Sequence, residues 1–287
     1  MPEIKPVGAN PLQKYFRQPK VYLDLPSKGK YYPDGALDMP ETGELPVFSM
    51  TAKDELTMKT PDALLNGVAT VELIRSCVPN ITDPWQMPSV DLDAVLIAIR
   101  IATYGEQLEI STKVPNLGEE KDFAIDLRQL LNKLTNVTFE DTITLGNMVI
   151  SLAPLSYKQF TDSALKTFEE QRLFSLVNNE TIPEEEKLAK FNESFLKLTN
   201  LTVGMMSKSI KSITVEGEVV DNPLHIDEFV QNADKEFFNN IIEHIEEQKQ
   251  KFQIEPLTVK STEDEISRGA PAEWTVPITF DQSNFFG

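Results

Sequence analysis

The chain offers few side chains that do chemistry: two histidines, one cysteine and a large excess of carboxylates. His225 lies in "NPLHIDEF" and His244 in "IIEHIEEQ", with no H-E-x-x-H and no spacing typical of a metal site. Both are expected on helix surfaces or in capping roles. Cys77 stands in the apolar run "VELIRSCV", which points to a buried, inert thiol rather than a nucleophile. A lone cysteine also excludes an intrachain disulfide. Glu184–Glu186 and Glu246–Glu247 are runs of carboxylates that read as solvated helix faces or first-turn charges. A glycosidase pair requires two acids converging in a cleft, which adjacency alone does not supply. The motifs G-x-x-x-x-G-K-[ST], G-x-G-x-x-G and G-x-S-x-G do not occur, so neither a phosphate-cradling loop nor a nucleophile elbow is expected. The reading is of a protein that is not an enzyme, with no catalytic residues, no cofactor and no metal.

The elements that would position any site begin from an ordinary composition. With 287 residues, 40% apolar and 25% charged, the chain suits one large domain or two modest ones around a real core. Lys and Arg number 27 against 45 Asp and Glu, so 27 − 45 = −18. Such an acidic surface repels nucleic acid and anionic membranes, and neither is expected as a partner. The start "MPEIKPVGANP" has no apolar signal-peptide core, and the most apolar run, "AVLIAIRIA" (94–102), is broken by Arg100. It falls well short of the roughly 20 residues of a membrane span. A soluble, intracellular protein is expected.

The fold class expected is α+β: a mainly helical core with a small antiparallel β subdomain, an extended N-terminal arm and a C-terminal tail. Residues 1–50, rich in Pro, Gly and Tyr, read as the arm, with short strands around Val21, Leu23 and Leu25 and at "LPVFSM" (45–50). Residues 51–105 read as helical. Thr51 caps the first helix, Thr60-Pro61-Asp62 restarts it, Gly67 stops it, and "ATVELIRSCV" follows. Asp91 is expected to cap the apolar helix that Gly105 ends. Residues 106–154 read as the β subdomain, with strands at "EQLEIST" and "KDFAIDL" and a hairpin through Gly146-Asn147; "RQLLNKLTNVT" (128–138) is compatible with a short helix or a loop. Residues 155–252 read as helical around a small hairpin, "SITVEGEVV" (212–220). Within them Phe160, Ala164, Phe168, Leu173 and Leu176 share helical spacing, and Pro183 opens a helix through Leu188, Phe191, Phe195 and Leu198. Residues 253–287 read as an extended tail.

Two aromatic clusters are candidates for binding other proteins. The patch "QKYFRQPK" (13–20) mixes basic and aromatic residues as nucleic-acid contacts do, yet at −18 overall a docking arm for a protein groove is the expected role. Tyr15, Phe16 and Arg17, together with Tyr31 and Tyr32, form the first candidate surface. The second is Trp274, Phe280, Phe285 and Phe286 in "WTVPITFDQSNFFG", read either as a tail folded back on its own domain or as an aromatic anchor for a partner. A further stretch, "KVPNLGEEKDF" (113–123), has the outline of a C-P-x-C-G zinc knuckle, with Val114 and Leu117 at the ligand positions. A structural zinc needs four N or S ligands, so none binds here. Pro115, Gly118 and packing are expected to hold the turn, and a plain β-turn is an alternative reading.

"NPLQKYFRQPKVYLDLPSKGKYYPDG", "MTAKDELTMKTPDALLNGVATVELIRSCVPNI" and "DLDAVLIAIRIATYGEQLEI", in order within residues 10–110, resemble the baseplate hub and hub-assembly proteins of T-even-type contractile-tailed bacteriophages. Residues 111–287 match less distinctly, although the "SITVEGEVV" hairpin followed by a short helix is similar too. The resemblance implies a non-enzymatic structural protein that binds other baseplate and tail-hub subunits within a multi-subunit assembly. It also implies a location in the host cytoplasm during assembly and then in the virion tail baseplate. A transient hub-assembly chaperone is the alternative, and a hub-associated peptidoglycan hydrolase a more distant one. The resemblance also implies that members often carry a cysteine knuckle near the 113–118 turn; this chain departs from that, and no metal is carried over.

Overall fold

Antiparallel pairing starts the described fold: β1 (Pro19–Leu23) lies against β2 (Leu45–Phe48), with Val21 opposite Val47 and Leu23 opposite Leu45. The computed structural model describes residues 12, 15–59, 66–177, 184–278 and 285–286. The expected restart at Thr60-Pro61-Asp62 and the opening role of Pro183 lie outside the described residues. Period-two alternation turns Val21, Leu23, Leu45 and Val47 to the same side, and all four are buried.

Helices cover that side. In α1 (Ala52–Met58), Thr51 and Asp54 form a reciprocal capping box. Next, α2 (Val68–Cys77) begins at Gly67, whose φ of 77° suits glycine alone at little cost. Gly67 was expected to stop a preceding helix, whose residues lie outside the described ones; it stands as the N-cap of α2. A Cβ there would stand 3.0 Å from the Tyr157 hydroxyl. The central helix, α3 (Leu92–Tyr104), buries Ala94 through Ile99 and ends at Gly105. Asp91 occupies its N-cap position but makes no capping hydrogen bond, because its carboxylate is committed elsewhere.

The strands expected in 106–154 are present but serve two separate sheets. β3 (Gln107–Lys113) pairs only with β4 (Glu120–Asp126). Then α4 (Leu127–Thr135), capped by Asp126, resolves the 128–138 stretch as helix. β5 (Thr142–Leu145) and β6 (Met148–Leu152) form the hairpin at Gly146-Asn147. After β6 the chain leaves in a long pair of helices, α5 (Tyr157–Val177) and α6 (Glu184–Ser209). It returns as β7 (Ile210–Val215), which lies antiparallel beside β6, and β8 (Glu218–Val220) completes a four-stranded sheet in the order β5-β6-β7-β8. Glu216 and Gly217 both have positive φ, as a two-residue type I′ turn demands.

Beyond the sheet come α7 (Pro223–Asn232), capped by Asn222, and α8 (Lys235–Lys251), capped by Asp234. The stretch expected as an extended tail holds a hairpin of β9 (Leu257–Lys260) and β10 (Glu273–Val276), with the single-turn helix α9 (Glu263–Ser267) between them. Leu257 and Val259, and likewise Trp274 and Val276, repeat every second residue, the strand period rather than the helical one.

Among the described residues burial divides into three clusters. The main core joins β1, β2, α2, α3 and α4, and includes Phe285 and Phe286. A second lies between the four-stranded sheet and α7 and α8, around Ile150, Met206, Ile226 and Ile241. A small third one joins Val114 to Val259, Ala270, Trp274 and Val276. Helices and small antiparallel sheets packed in this way make an α+β fold.

Candidate partner surface

Arg17 is the fixed point of the N-terminal aromatic patch. Its Nη2 donates to the Ser76 carbonyl at 2.6 Å and to Ser76 Oγ at 2.9 Å, and its Nη1 donates to the Ser49 carbonyl. The guanidinium also lies 3.6 Å from the Asp54 carboxylate and 5.7 Å from the centre of the Phe48 ring. Asp54 in turn accepts from the backbone N–H and hydroxyl of Thr51 and from Ser76 Oγ. The segment therefore ties the end of β2, the start of α1 and the end of α2 into one charge-assisted knot. Cys77, beside this knot, is buried, and burial is the main cause that pushes its thiol up to about 11, so it stays protonated.

Outward from that knot, Tyr15 is 74% and Phe16 56% exposed, so the aromatic faces turn to solvent. Tyr31 and Tyr32 behave differently. Tyr31 donates to Asp141 at 2.9 Å and meets Phe139 edge-on at 5.7 Å. Tyr32 donates to Asp91 at 3.0 Å. Burial, with the neighbouring carboxylate, raises both phenols above the ordinary tyrosine range. Asp91 is fully buried and accepts from Ser27 N at 2.7 Å, Ser27 Oγ at 2.6 Å and Tyr32. Desolvation outweighs these donors and lifts its carboxyl to about 6.

The C-terminal aromatics also turn inward. Phe285 and Phe286 are buried in the main core, edge-on to each other at 4.9 Å, and the Tyr104 hydroxyl donates to the Phe286 carbonyl at 2.8 Å. Trp274 packs edge-on to Phe123 at 5.9 Å in the third cluster, and its indole N–H has no hydrogen-bond partner among the described residues. Phe280 lies outside the described residues. Of the residues expected to meet partners, then, Tyr15 and Phe16 share an outward surface, while Tyr31, Tyr32, Trp274, Phe285 and Phe286 are engaged within the chain. The fold-back alternative for the tail accounts for the last three.

The knuckle-like turn is held by packing and ion pairs. Val114 is buried and Leu117 packs on the same cluster, while the Gly118 N–H donates to the Val114 carbonyl at 3.0 Å. Around it, Asn116 donates to the Gly269 carbonyl, Arg268 pairs with Glu119, and Lys121 pairs with Glu265 at 2.8 Å. Among the described residues no three His, Cys, Asp or Glu side chains gather as a metal site would require, and no helix is long and apolar enough to cross a membrane.

A surface absent from the sequence reading lies on α5 and α6. Phe160, Phe168, Leu188 and Phe195 were expected simply as helical spacing, and each is more than 40% exposed. The signal was present as apolar positions on two flanks of one helix, which is wider than a single packing seam needs. A second such signal is Arg100, the charge within the apolar run of α3. Its Nε and Nη1 are buried without hydrogen-bond partners, and its guanidinium lies 4.5 Å from the centre of the Tyr104 ring.

No curated protein and no solved structure matches the chain. Residues 19–267 match the family model described as T4 bacteriophage base plate protein. That span runs from the first residue of β1 to the last of α9, so it takes in the Arg17-flanked strands, the four-stranded sheet and the helical pair together. The chain belongs to the T4 bacteriophage base plate protein family.

Proposed function

We propose that this baseplate protein is a non-enzymatic structural component of the tail hub, retained in the particle and bound to neighbouring hub subunits. The observation that carries the reading is the Tyr15–Phe16 pair, exposed on a base that Arg17 locks to α1 and α2. Aromatic side chains on a rigid mount bury large area at small entropic cost when a partner closes over them. The hub assignment rests on the resemblance of residues 10–110, and the baseplate assignment on the family match. Against a hydrolase stands the use of Asp91: it is raised to about 6, as a general acid would be, but it is closed off from solvent and saturated by Ser27 and Tyr32.

Quantitative mass spectrometry of purified mature particles and of assembly intermediates tests this. A fixed small stoichiometry in mature particles is the expected result. Presence in intermediates alone would make the protein an assembly factor that departs before completion. For the enzymatic alternative, alanine at Asp93 is expected to leave host-wall lysis unchanged.

A further inference from the structure

The α5–α6 pair stands on a fixed base. Tyr157 stacks on Trp85 at 5.6 Å, and its N–H donates to the Met87 carbonyl at 2.7 Å. At the other foot, Ser207 donates to Asp227 at 2.9 Å and Met206 is buried in the second core. Beyond these feet, from Ala164 on α5 to Asn200 on α6, Ser194 is the one buried residue among the described side chains. Among the described residues the two helices there touch each other and little else.

Their two broad faces differ in kind. One carries Glu186–Lys190 and Glu193–Lys197 ion pairs at i,i+4, with Lys197 also reaching Glu170 across the pair at 3.4 Å. Lys166, Glu169 and Asn200 line the shallow groove on that side. At about 100° per residue, Leu188, Phe195 and Thr199 fall on the opposite flank of α6, roughly a quarter to a third of a turn from Ser194. Phe160, Ala164 and Phe168 fall on the matching flank of α5; since the helices run antiparallel, both flanks lie on one side. From Phe160 to Gln171, and from Leu188 to Thr202, that side contains no Asp or Glu, in a chain of net charge −18. Phe168 is 57%, Leu188 62% and Phe195 59% exposed there.

We infer that this face is a homodimer interface, in which the helical pairs of two copies close into a four-helix bundle. Two antiparallel helices with one apolar face are half of such a bundle, and a two-fold axis supplies the other half from the same surface. Arg172, one turn beyond Phe168, is the charge that borders this flank of α5, and between Phe160 and Gln171 and between Leu188 and Thr202 no carboxylate stands on the face for a basic partner to read. Keeping carboxylates off this side, and the ion-pair ladder on the far side, is what lets two strongly acidic chains approach. Its size sets the strength: about 20 Å by 20 Å of helix surface is on the order of 400 Å² per copy, the size of a weak, reversible dimer. The inference rests on the helical pair alone and does not depend on residence in the tail hub.

Sedimentation velocity of the full chain over about 1–100 μM tests it, the range in which an interface of this area is expected to dissociate reversibly. A concentration-dependent dimer is expected, and Phe195→Glu and Phe168→Glu should each weaken it by about 30-fold or more while leaving circular dichroism unchanged. A wild-type chain that stays monomeric throughout, or a dimer indifferent to both substitutions, would overturn the proposal. So would a Phe195→Cys chain that cross-links in infected cells to a different protein and never to itself.

Discussion

The Arg17 guanidinium and the Asp54 carboxylate meet at 3.6 Å, across 37 residues of chain, where Arg17 joins the end of β2 to α1 and α2. Arg17 also forks to the Ser49 and Ser76 carbonyls, a geometry that an ammonium cannot reproduce. Arg17→Ala is therefore expected to cost about 2 kcal/mol in urea unfolding. Arg17→Lys should recover less than half of that loss.

Tyr104 holds the Phe286 carbonyl while Phe285 and Phe286 fill the main core. Phe285→Ala removes a ring that is 2% exposed and is expected to destabilise by about 3–5 kcal/mol. Tyr104→Phe loses only the hydrogen bond and should cost about 1 kcal/mol. Calorimetry of the two variants separates a tail that belongs to the core from one that merely rests on it.

Asp93 is half-buried and hydrogen-bonds to no described side chain; desolvation lifts its carboxyl to about 6 from 3.8. The native state therefore binds a proton more tightly than the unfolded chain. Stability from this group is fully present below about pH 4 and is lost as pH rises through about 6. Asp93→Asn is expected to raise stability at pH 7 by about 2 kcal/mol and to match the wild type near pH 4. Asp91 has the same sign, but its removal strands three donors, so Asp91→Ala should destabilise at every pH, by about 3 kcal/mol.

Val114 links the β3–β4 tip to the β9–β10 hairpin. Val114→Asp buries an unpaired charge in a cluster separate from the main core. The expected result is local: faster hydrogen exchange across residues 257–276 with little change in the amides of α3, measured by mass spectrometry.

What was legible in the sequence was local. Thr51 caps its helix as its type announces, and Glu216-Gly217 turns a hairpin as positive φ requires. Pairing across distance was not legible, because nothing in Met148–Leu152 says that its second neighbour lies beyond two long helices. The aromatics misled for a related reason. Phe285 and Phe286, bare of charge, satisfy an apolar groove equally well whether it belongs to a partner or to their own chain. On α5 and α6 the converse holds, since Phe168 and Phe195 keep the helical period of core residues while facing solvent. Asp91, read as a cap from its position, is instead drawn away by Ser27 and Tyr32, which come from 59 or more residues upstream.

Leu152 and Ile210 are direct partners across β6 and β7, although α5 and α6 intervene between them. The excursion therefore leaves and re-enters the sheet at the same spot, and its length does not enter the geometry of anything below it. A heptad added to each helix would carry the apolar face outward by about 10 Å without disturbing a strand. Trimming the excursion back to its feet, with Tyr157 and Met206 kept, would leave β6 and β7 paired. Reach is thus an adjustable dimension of this protein, open to lengthening and trimming while the body stays as it is.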